Sequence, residues 1–344
     1  MEKKDIKSMT FDEIVSDFLN ISEKKYRAKQ VYQWIVKGAS SFDEMTNLSK
    51  PFREKLSLIY EIPKVAIETK RISSDGTIKY LFKMPFGGYI ESVIMKYKHG
   101  NTICISTQVG CKMGCAFCKT GELGFKRNLL PSEMIGQIQE AEKDLNAKIS
   151  NIVLMGMGEP LDNYENVVKF LKMISSEDHL NIGMRHISLS TCGIVDKIYK
   201  LAEENMQLTL SISLHASNDE TRKKIMKIAN RWSISELIEA CKYYIKKTGR
   251  RISFEYIMID GVNDKPADAE RLIKLLKGVL CHVNLIPLNG ENNANLKRSS
   301  KNCIYRFKNM LEAENISATI RRTLGEDIEG ACGQLRAMHI PKEV

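Results

Sequence analysis

Several things are missing from this chain of 344 residues. It has no uninterrupted apolar run approaching the roughly 18 residues that a membrane span requires. Behind the basic residues of its opening stretch, MEKKDIKSMTFDEIV, there is neither an apolar segment nor a small-residue cleavage site. These absences argue against a membrane partner and point to the cytoplasm. No low-complexity segment or clear short-period repeat occurs. An even disulfide framework is lacking too: the nine cysteines are odd in number and unevenly spread, unlike those of a small secreted domain. In a reducing compartment such cysteines serve metals, catalysis or packing. Acidic residues are outnumbered, 42 against 52 Lys and Arg, for a net charge of +10 and a pI near 9.0. That balance favours a polyanionic partner bound with a salt-dependent share of affinity.

What is present is ordinary in bulk, 43% hydrophobic and 27% charged residues, enough for one large domain and a smaller one. Phe11, Ile14, Val15 and Phe18, then Val31, Trp34 and Ile35, recur at helical spacing. A capping pattern at Ser41–Glu44 predicts a further short helix. After Ile62 the texture turns strand-like, VAIETKRI, TIKYLFKM and YIESVIMKY, with SSDG and PFGG turns between. Residues 1–100 therefore read as an N-terminal accessory domain, helices followed by a short β meander. Beyond residue 100, strands alternate with helices through TICISTQ, NIVLMG, HISLST, LTLSISLHA, RISFEYIMI, HVNLIPL and SATIRRT. Repeated βα units imply a parallel sheet with right-handed crossovers. There are fewer units than a closed eight-unit barrel needs, so residues 101–344 are expected to form an α/β fold with an incomplete barrel. Several strands carry a second face of small polar residues, such as Cys104 and Ser106, Ser188 and Ser190, or Ser211, Ser213 and His215. That face suits either a cavity for a polar ligand or the outside of the sheet.

The densest chemistry is GCKMGCAFCKTG, residues 110–121, where Cys111, Cys115 and Cys118 stand at CxxxCxxC spacing. Structural zinc takes four closed ligands, typically as two paired halves. No second pair exists, because Cys192, Cys241, Cys281 and Cys303 are isolated. A cubane iron–sulfur cluster normally has four thiolates as well, so three would leave one iron open to another ligand. CxxxCxxC followed by a βα-barrel pattern resembles the radical S-adenosylmethionine (SAM) superfamily, in which the amino and carboxylate groups of SAM fill that position. The resemblance implies a 4Fe-4S cluster and SAM as cofactors, with a 5′-deoxyadenosyl radical as their product. It also implies a role for MGMGEPL, Met155–Leu161: its glycines let backbone approach the ligand, and Glu159 receives the SAM ammonium. Phe117, next to Cys118, is placed to shield the cluster.

Two cysteines outside the triplet, Cys104 on a polar strand face and Cys332 in DIEGACGQLR, would by themselves read as incidental. The stretches GYIESVIMK, CISTQVGCKMGCAFCKTGELGFKRNL, SLHA, FEYIMIDGVND, HVNLIPLN and TIRRTLGEDIEGACGQLR together closely resemble the RlmN family of adenosine C2 methyltransferases. The likeness runs nearly end to end and is weakest over the first sixty residues. It implies that the whole barrel is of the (βα)6 type. It also implies two SAM per turnover: one methylates Cys332, and the other yields the radical that takes hydrogen from the S-methyl group. The resulting carbon radical adds to C2 of an RNA adenosine. The C2 proton is then lost, and the Cys104 thiolate resolves the adduct, leaving a transient Cys104–Cys332 disulfide.

Carried over residue by residue, the resemblance makes Cys111, Cys115 and Cys118 cluster ligands. Gly158, Glu159, Ser190, Ser213, Leu214, His215 and Asn289 match SAM-contacting positions, and Glu91 matches the proton acceptor. A Glu on a strand face otherwise reads as a solvated residue, and His215, with no partner at metal spacing, as a hydrogen-bonding group. Two departures concern loop shape: Lys227 stands where the family often has proline, and Gly290 follows Asn289 where proline is common.

The implied substrates are large-subunit (23S) rRNA and certain tRNAs, with a reductant such as flavodoxin or ferredoxin as electron donor and the chain acting as a monomer. The basic excess then has a purpose, with the Lys and Arg residues of the N-terminal region and of the Lys297–Lys301 loop expected on phosphates. Two rivals stay open. A Cfr-like enzyme methylating C8 of adenine shares the cysteines, although Pro160 and FEYIMIDGVND favour the C2 family. A non-catalytic RNA-binding protein held together by zinc is the reading from another class.

Overall fold

The computed structural model describes residues 3–98, 100–289 and 296–330. The chain opens with a helical unit: strand β1 (Lys4–Asp5), helices α1 (Phe11–Asn20), α2 (Lys25–Val36) and α3 (Lys50–Ile59), and β2 (Tyr60–Glu61), which pairs in parallel with β1. α1 starts at a capping box in which the Thr10 hydroxyl accepts from the Glu13 N–H and the Glu13 carboxylate accepts from the Thr10 N–H, satisfying two donors that a helix start leaves unpaired. Ile14 and Phe18 then pack with Val31, Ile35, Phe52, Leu56 and Tyr60 in a core of their own. The helix expected at Ser41–Glu44 is only a 3-10 turn, Phe42–Glu44, without a cap from Ser41. The Glu44 carboxylate instead accepts from Ser40, one residue earlier.

Next comes an antiparallel meander of β3 (Ala66–Ile72), β4 (Ile78–Lys83), β5 (Tyr89–Tyr97) and β6 (Gly100–Cys104). A two-stranded ribbon of β7 (Gln108–Gly110) and β8 (Phe125–Asn128) encloses the short helix α4 (Lys119–Glu122). Helix α5 (Pro131–Leu145) leads to β9 (Ile149–Leu154), and α6 (Tyr164–Ser175) to β10 (Ile187–Thr191). Then α7 (Val195–Glu203) leads to β11 (Thr209–Ser213), and α8 (Asp219–Ile225) with α9 (Ile234–Thr248) to β12 (Ile252–Met258). Finally α10 (Pro266–Leu276) leads to β13 (Cys281–Pro287), and α11 (Lys301–Ala313) to β14 (Ala318–Ile320).

Strands β6 and β9 to β14 pair in parallel in the order β14-β13-β12-β11-β10-β9-β6. These strands and the helices between them make the expected (βα)6-type incomplete barrel. Parallel strands buried on both faces call for apolar runs, and Ile152, Leu154, Leu189, Leu210, Ile212, Phe254 and Val283 meet that demand. α6 lays Val167, Val168, Leu171 and Ile174 on the same core, each such burial being worth roughly 1.5–3 kcal/mol.

The meander does not stand with the N-terminal helices. β5 pairs with β6, so β3, β4 and β5 extend the barrel's sheet to ten strands. The two hydrophobic cores part between Tyr60 and Val65, not at residue 100, where the sequence texture changes. That texture marks the switch from antiparallel to parallel pairing, and the sheet runs across it. At one edge lies β14, three residues long. At the other lies β3, exposed from Glu68 to Ile72 and bulged between Ile67 and Thr69.

Candidate active site

The cysteine loop hangs from the β7–β8 ribbon. Gly110 closes the ribbon at φ +77°, where a Cβ would stand 1.9 Å from the Gly124 carbonyl oxygen, so only glycine fits. Cys111 N–H donates to Gly124 O at 2.8 Å, and Ala116 N–H donates to Ile225 O at 2.9 Å, tying the loop to the end of α8. Cys111, Cys115 and Cys118 line one cavity of about 150 Å³ with Gly158, Glu159, Ser190, Ser213 and His215. Burial pushes the Cys111 thiol up to about 12, with Glu159 and Cys118 adding to the rise against a hydrogen bond from the Met113 backbone. Burial raises Cys115 further, again with its neighbouring cysteines adding. Cys111 and Cys115, thiols that resist ionisation and are crowded against Cys118, need a cationic guest before they become ligands. Phe117 packs edge-on against the His215 ring, centroids 4.7 Å apart, which holds the loop against the end of β11. Lys227 also lies against the loop, since a Cβ at Gly114 would meet its side chain at 3.2 Å.

MGMGEPL follows β9 and faces the triplet. Gly158 has φ +103°, and a Cβ there would lie 2.6 Å from the Gln108 side chain. Gln108 is the hub: its Oε1 accepts from Glu159 N–H at 2.9 Å, and its Nε2 donates to Asp162 at 2.8 Å. Lys112, inside the cysteine loop, pairs with the same Asp162 at 2.6 Å. Glu159 is buried, its carboxylate accepting from Cys192 N–H at 2.7 Å and Leu161 N–H at 3.0 Å. Burial raises its pKa, and the hydrogen bond from Cys192 opposes the rise. A buried carboxylate with spare acceptor capacity, lining the same cavity as the three cysteines, suits an ammonium group.

His215 adopts a left-handed backbone, φ 57°, and its Nδ1 accepts from Ile257 N–H at 3.0 Å. Burial, aided by the Arg222 cation, depresses its pKa to about 3. The ring is therefore neutral with its proton on Nε2, a hydrogen-bonding group as expected. Leu214 does not line this cavity; its contribution is a carbonyl. Arg222, fully buried, donates to Leu214 O at 3.1 Å, Ser213 O at 3.2 Å and Cys192 O at 2.7 Å, which fixes the ends of β10 and β11 against each other. Ser190 and Ser213 face the cavity while Ser188 and Ser211, one step back toward the strand starts, do not line it, in keeping with sites at the carboxyl ends of parallel strands.

A second cavity, about 240 Å³, adjoins the first, and Met155, Ile286 and Arg321 line both. Cys104 and Asn289 belong to this one, with Val93, Met95, Tyr97, Pro287, Arg322, Leu324 and Gly330. The Asn289 Oδ1 accepts from the Thr323 hydroxyl at 3.4 Å. Glu91 lies on the same face of β5 as Val93 and Met95 but lines neither cavity. It is buried, and its carboxylate pairs with Lys79 at 3.1 Å. The Ser106 hydroxyl donates to the Glu91 carbonyl at 2.6 Å and accepts from Met157 N–H at 2.9 Å, linking β5 to the glycine loop. The described cysteines, Cys104 included, are in no disulfide; Cys332 and Gly290 lie outside the described residues. Sequence reading passed over Gln108, Arg222, Lys79 and Glu255. For Glu255 the signal was an acid inside the apolar strand ISFEYIM; it is buried and lies 3.8 Å from Arg321.

Among the described residues no three His, Cys, Asp or Glu side chains gather tightly enough around a single metal ion. The triplet nonetheless opens on one cavity, and that suits a polynuclear cluster, in which each thiolate takes a different iron. The barrel, the three-cysteine loop and the glycine loop beside it define a radical SAM enzyme, and the Radical SAM superfamily family model matches residues 105–296. The Ribosomal RNA large subunit methyltransferase N-terminal domain matches residues 4–62, the unit with its own core. A relative from Clostridium novyi is 53% identical over 339 residues, 98% of this chain and 99% of its own. Another, from Alkaliphilus oremlandii, is 53% identical over 341 residues, 99% of both. Both bear the name "Probable dual-specificity RNA methyltransferase RlmN". A radical SAM methyltransferase from Sphaerobacter thermophilus superposes with a TM-score of 0.92 at 42% identity, covering 97% of this chain and 99% of that one. The chain belongs to the RlmN family of radical SAM RNA methyltransferases. Among the described residues no helix is long and apolar enough to cross a membrane.

Proposed function

We propose that this protein methylates C2 of adenosine in large-subunit rRNA and in the anticodon loop of some tRNAs. The observation that carries the reading is the pair of adjoining cavities, one lined by the cysteine triplet and Glu159, the other by Cys104, with Met155, Ile286 and Arg321 between them. Cys111, Cys115 and Cys118 would hold a 4Fe-4S cluster, and Glu159, Ser190, Ser213 and His215 would orient SAM beside it, with Asn289 reaching it from the second cavity. Cluster and SAM together supply a 5′-deoxyadenosyl radical. C2 lies between two ring nitrogens and is too electron-poor to attack a sulfonium methyl, so a polar transfer to it is closed. Cys332 takes the methyl first, by thiolate displacement on one SAM. A second SAM serves the radical step, in which that methyl loses a hydrogen and its carbon adds to C2. Glu91 would accept the C2 proton, and the one surplus electron of the adduct would return to the cluster. The Cys104 thiolate would attack the Cys332 sulfur, forming a transient disulfide and releasing the methylene carbon, which takes up a proton to become the methyl group. The base must leave its stack to reach this point, at a cost of a few kcal/mol offset by contacts in the pocket. Lys and Arg residues of the N-terminal unit and of the Lys297–Lys301 loop hold the phosphates, a reductant of the flavodoxin or ferredoxin kind supplies the electron, and the chain works as a cytoplasmic monomer.

The test is an anaerobic reaction of cluster-loaded protein with SAM, reductant and protein-free rRNA, followed by nucleoside digestion and mass spectrometry. A 2-methyladenosine product is expected. An 8-methyladenosine product would place the chemistry at the other carbon, and no methylated adenosine from iron-replete protein would end the proposal.

A further inference from the structure

The last described stretch of chain, residues 325–330, is held by one hairpin of the sheet. At the β3–β4 turn, the Asp75 Oδ2 accepts from Gly325 N–H at 2.9 Å while its Oδ1 accepts from Thr77 N–H at 2.9 Å. The Asp327 carboxylate accepts from the Ser73 hydroxyl and from Ser74 N–H. Gly325 has φ +63°, and a Cβ there would stand 2.9 Å from the Thr77 side chain, so the two segments meet closely. Just beyond this turn, Lys79 of β4 is 4% exposed and Glu91 of β5 1%. The Lys79 ammonium donates to the Glu329 carbonyl at 3.1 Å and lies 3.1 Å from Glu91 Oε2. A buried ion pair is weak evidence for stability, because desolvation offsets most of its Coulomb attraction. Here the cation also spends a donor on a backbone carbonyl of a different segment. Neither Asp75 nor Lys79 lines either cavity, but Gly330, the residue after Glu329, lines the one containing Cys104.

We propose that the β3–β4 hairpin is a clamp in which Asp75 and Lys79 act as positioning residues for the chain leading into Cys332, and in which Lys79 orients Glu91 by the same ammonium. The described chain approaching Cys332 and the pose of Glu91 are thereby set from one hairpin. The inference rests on the reaction proposed above.

The experiment compares cluster-loaded Asp75→Ala and Lys79→Met with the parent protein in three readouts: iron content, methyl transfer from SAM to the peptide containing Cys332, and 2-methyladenosine formed in rRNA. Both variants are expected to keep their iron and their KM for SAM while alkylation of Cys332 slows on the order of 10- to 100-fold, as small misplacements do. Asp75→Asn, which keeps an acceptor for the Gly325 N–H, is expected to recover part of the rate. Alkylation at the parent rate in both variants overturns the clamp, and so does slowing that comes with loss of iron, the mark of a general structural role. Asp75 lies in an exposed turn, so its variants answer the question even where Lys79→Met fails to fold. A parent protein that never carries a methyl on Cys332 overturns the reaction itself, a result distinct from two variants that behave like the parent.

Discussion

The two adjoining cavities share a wall and little else. The first is bounded by strand ends and loops locked through backbone hydrogen bonds, with Glu159, Ser190, Thr191 and Ser213 around its thiols. The second is walled by Val93, Met95, Tyr97, Ile286, Pro287 and Leu324, with Arg321 and Arg322 among them. One suits a small, charged ligand that must be held in a fixed pose; the other suits a flat apolar ring whose phosphates need cations. They also draw on different parts of the chain. The first is built from the parallel barrel and the cysteine loop of the β7–β8 ribbon, whereas the second adds β5 from the antiparallel extension and more of the segment after β14. Under the proposed assignment, changes to the cysteine triplet and to Cys104 disturb different steps.

Cys115→Ala should have the largest effect, removing iron and with it all methylation, as read by iron analysis and visible absorbance; retention of the iron would show that the first cavity does not hold it. Cys104→Ala should leave iron and SAM cleavage intact and stop product release, so that protein accumulates on RNA as a covalent adduct on denaturing gels. Clean turnover by that variant would remove the second cavity from the chemistry. Glu159→Gln should weaken SAM binding by roughly 10- to 100-fold, the range expected when a charged hydrogen bond is lost, with iron unchanged; equilibrium dialysis decides, and an unaltered affinity would detach the glycine loop from SAM. The smallest effect belongs to Lys297→Glu combined with Arg298→Glu. RNA affinity should fall a few-fold and its salt dependence should flatten by about one unit of slope for each phosphate no longer held. An unchanged slope would place the RNA elsewhere.

The first cavity was far more legible in the sequence than the second. CxxxCxxC and MGMGEPL are local, so their residue types and spacing survive in one dimension, and the period-2 pattern of HISLST and LTLSISLHA already put Ser190, Ser213 and His215 on one face. Arg222 escaped because an arginine in DETRKKI reads as one more charge on a solvated helix, yet it is buried against three carbonyls. Lys79 escaped for the same reason, since in TIKYLFKM it alternates like an exposed strand residue. Only pairing across the sheet, with Glu91 one strand away and Glu329 some 250 residues along the chain, gives it a task. The change of texture at residue 100 is silent on the pairing of β5 with β6, because hydrogen bonds between strands leave no mark on composition. Glu91 and Leu214 were named from resemblance alone, and their surroundings, an ion pair and a bound carbonyl, lay beyond any reading of periodicity.

The ends of the ten-stranded sheet carry a consequence for the protein before it acquires its cluster. An open sheet invites strand addition by a neighbour, the first step toward aggregation. Here one end is a strand of three residues, too short to template anything. The other, β3, displays Glu68, Lys70 and Arg71 to solvent and is kinked by its bulge. Neither end offers a newly made chain a flat, uncharged ladder to grow on, so the metal-free protein can stay dispersed while it waits for iron.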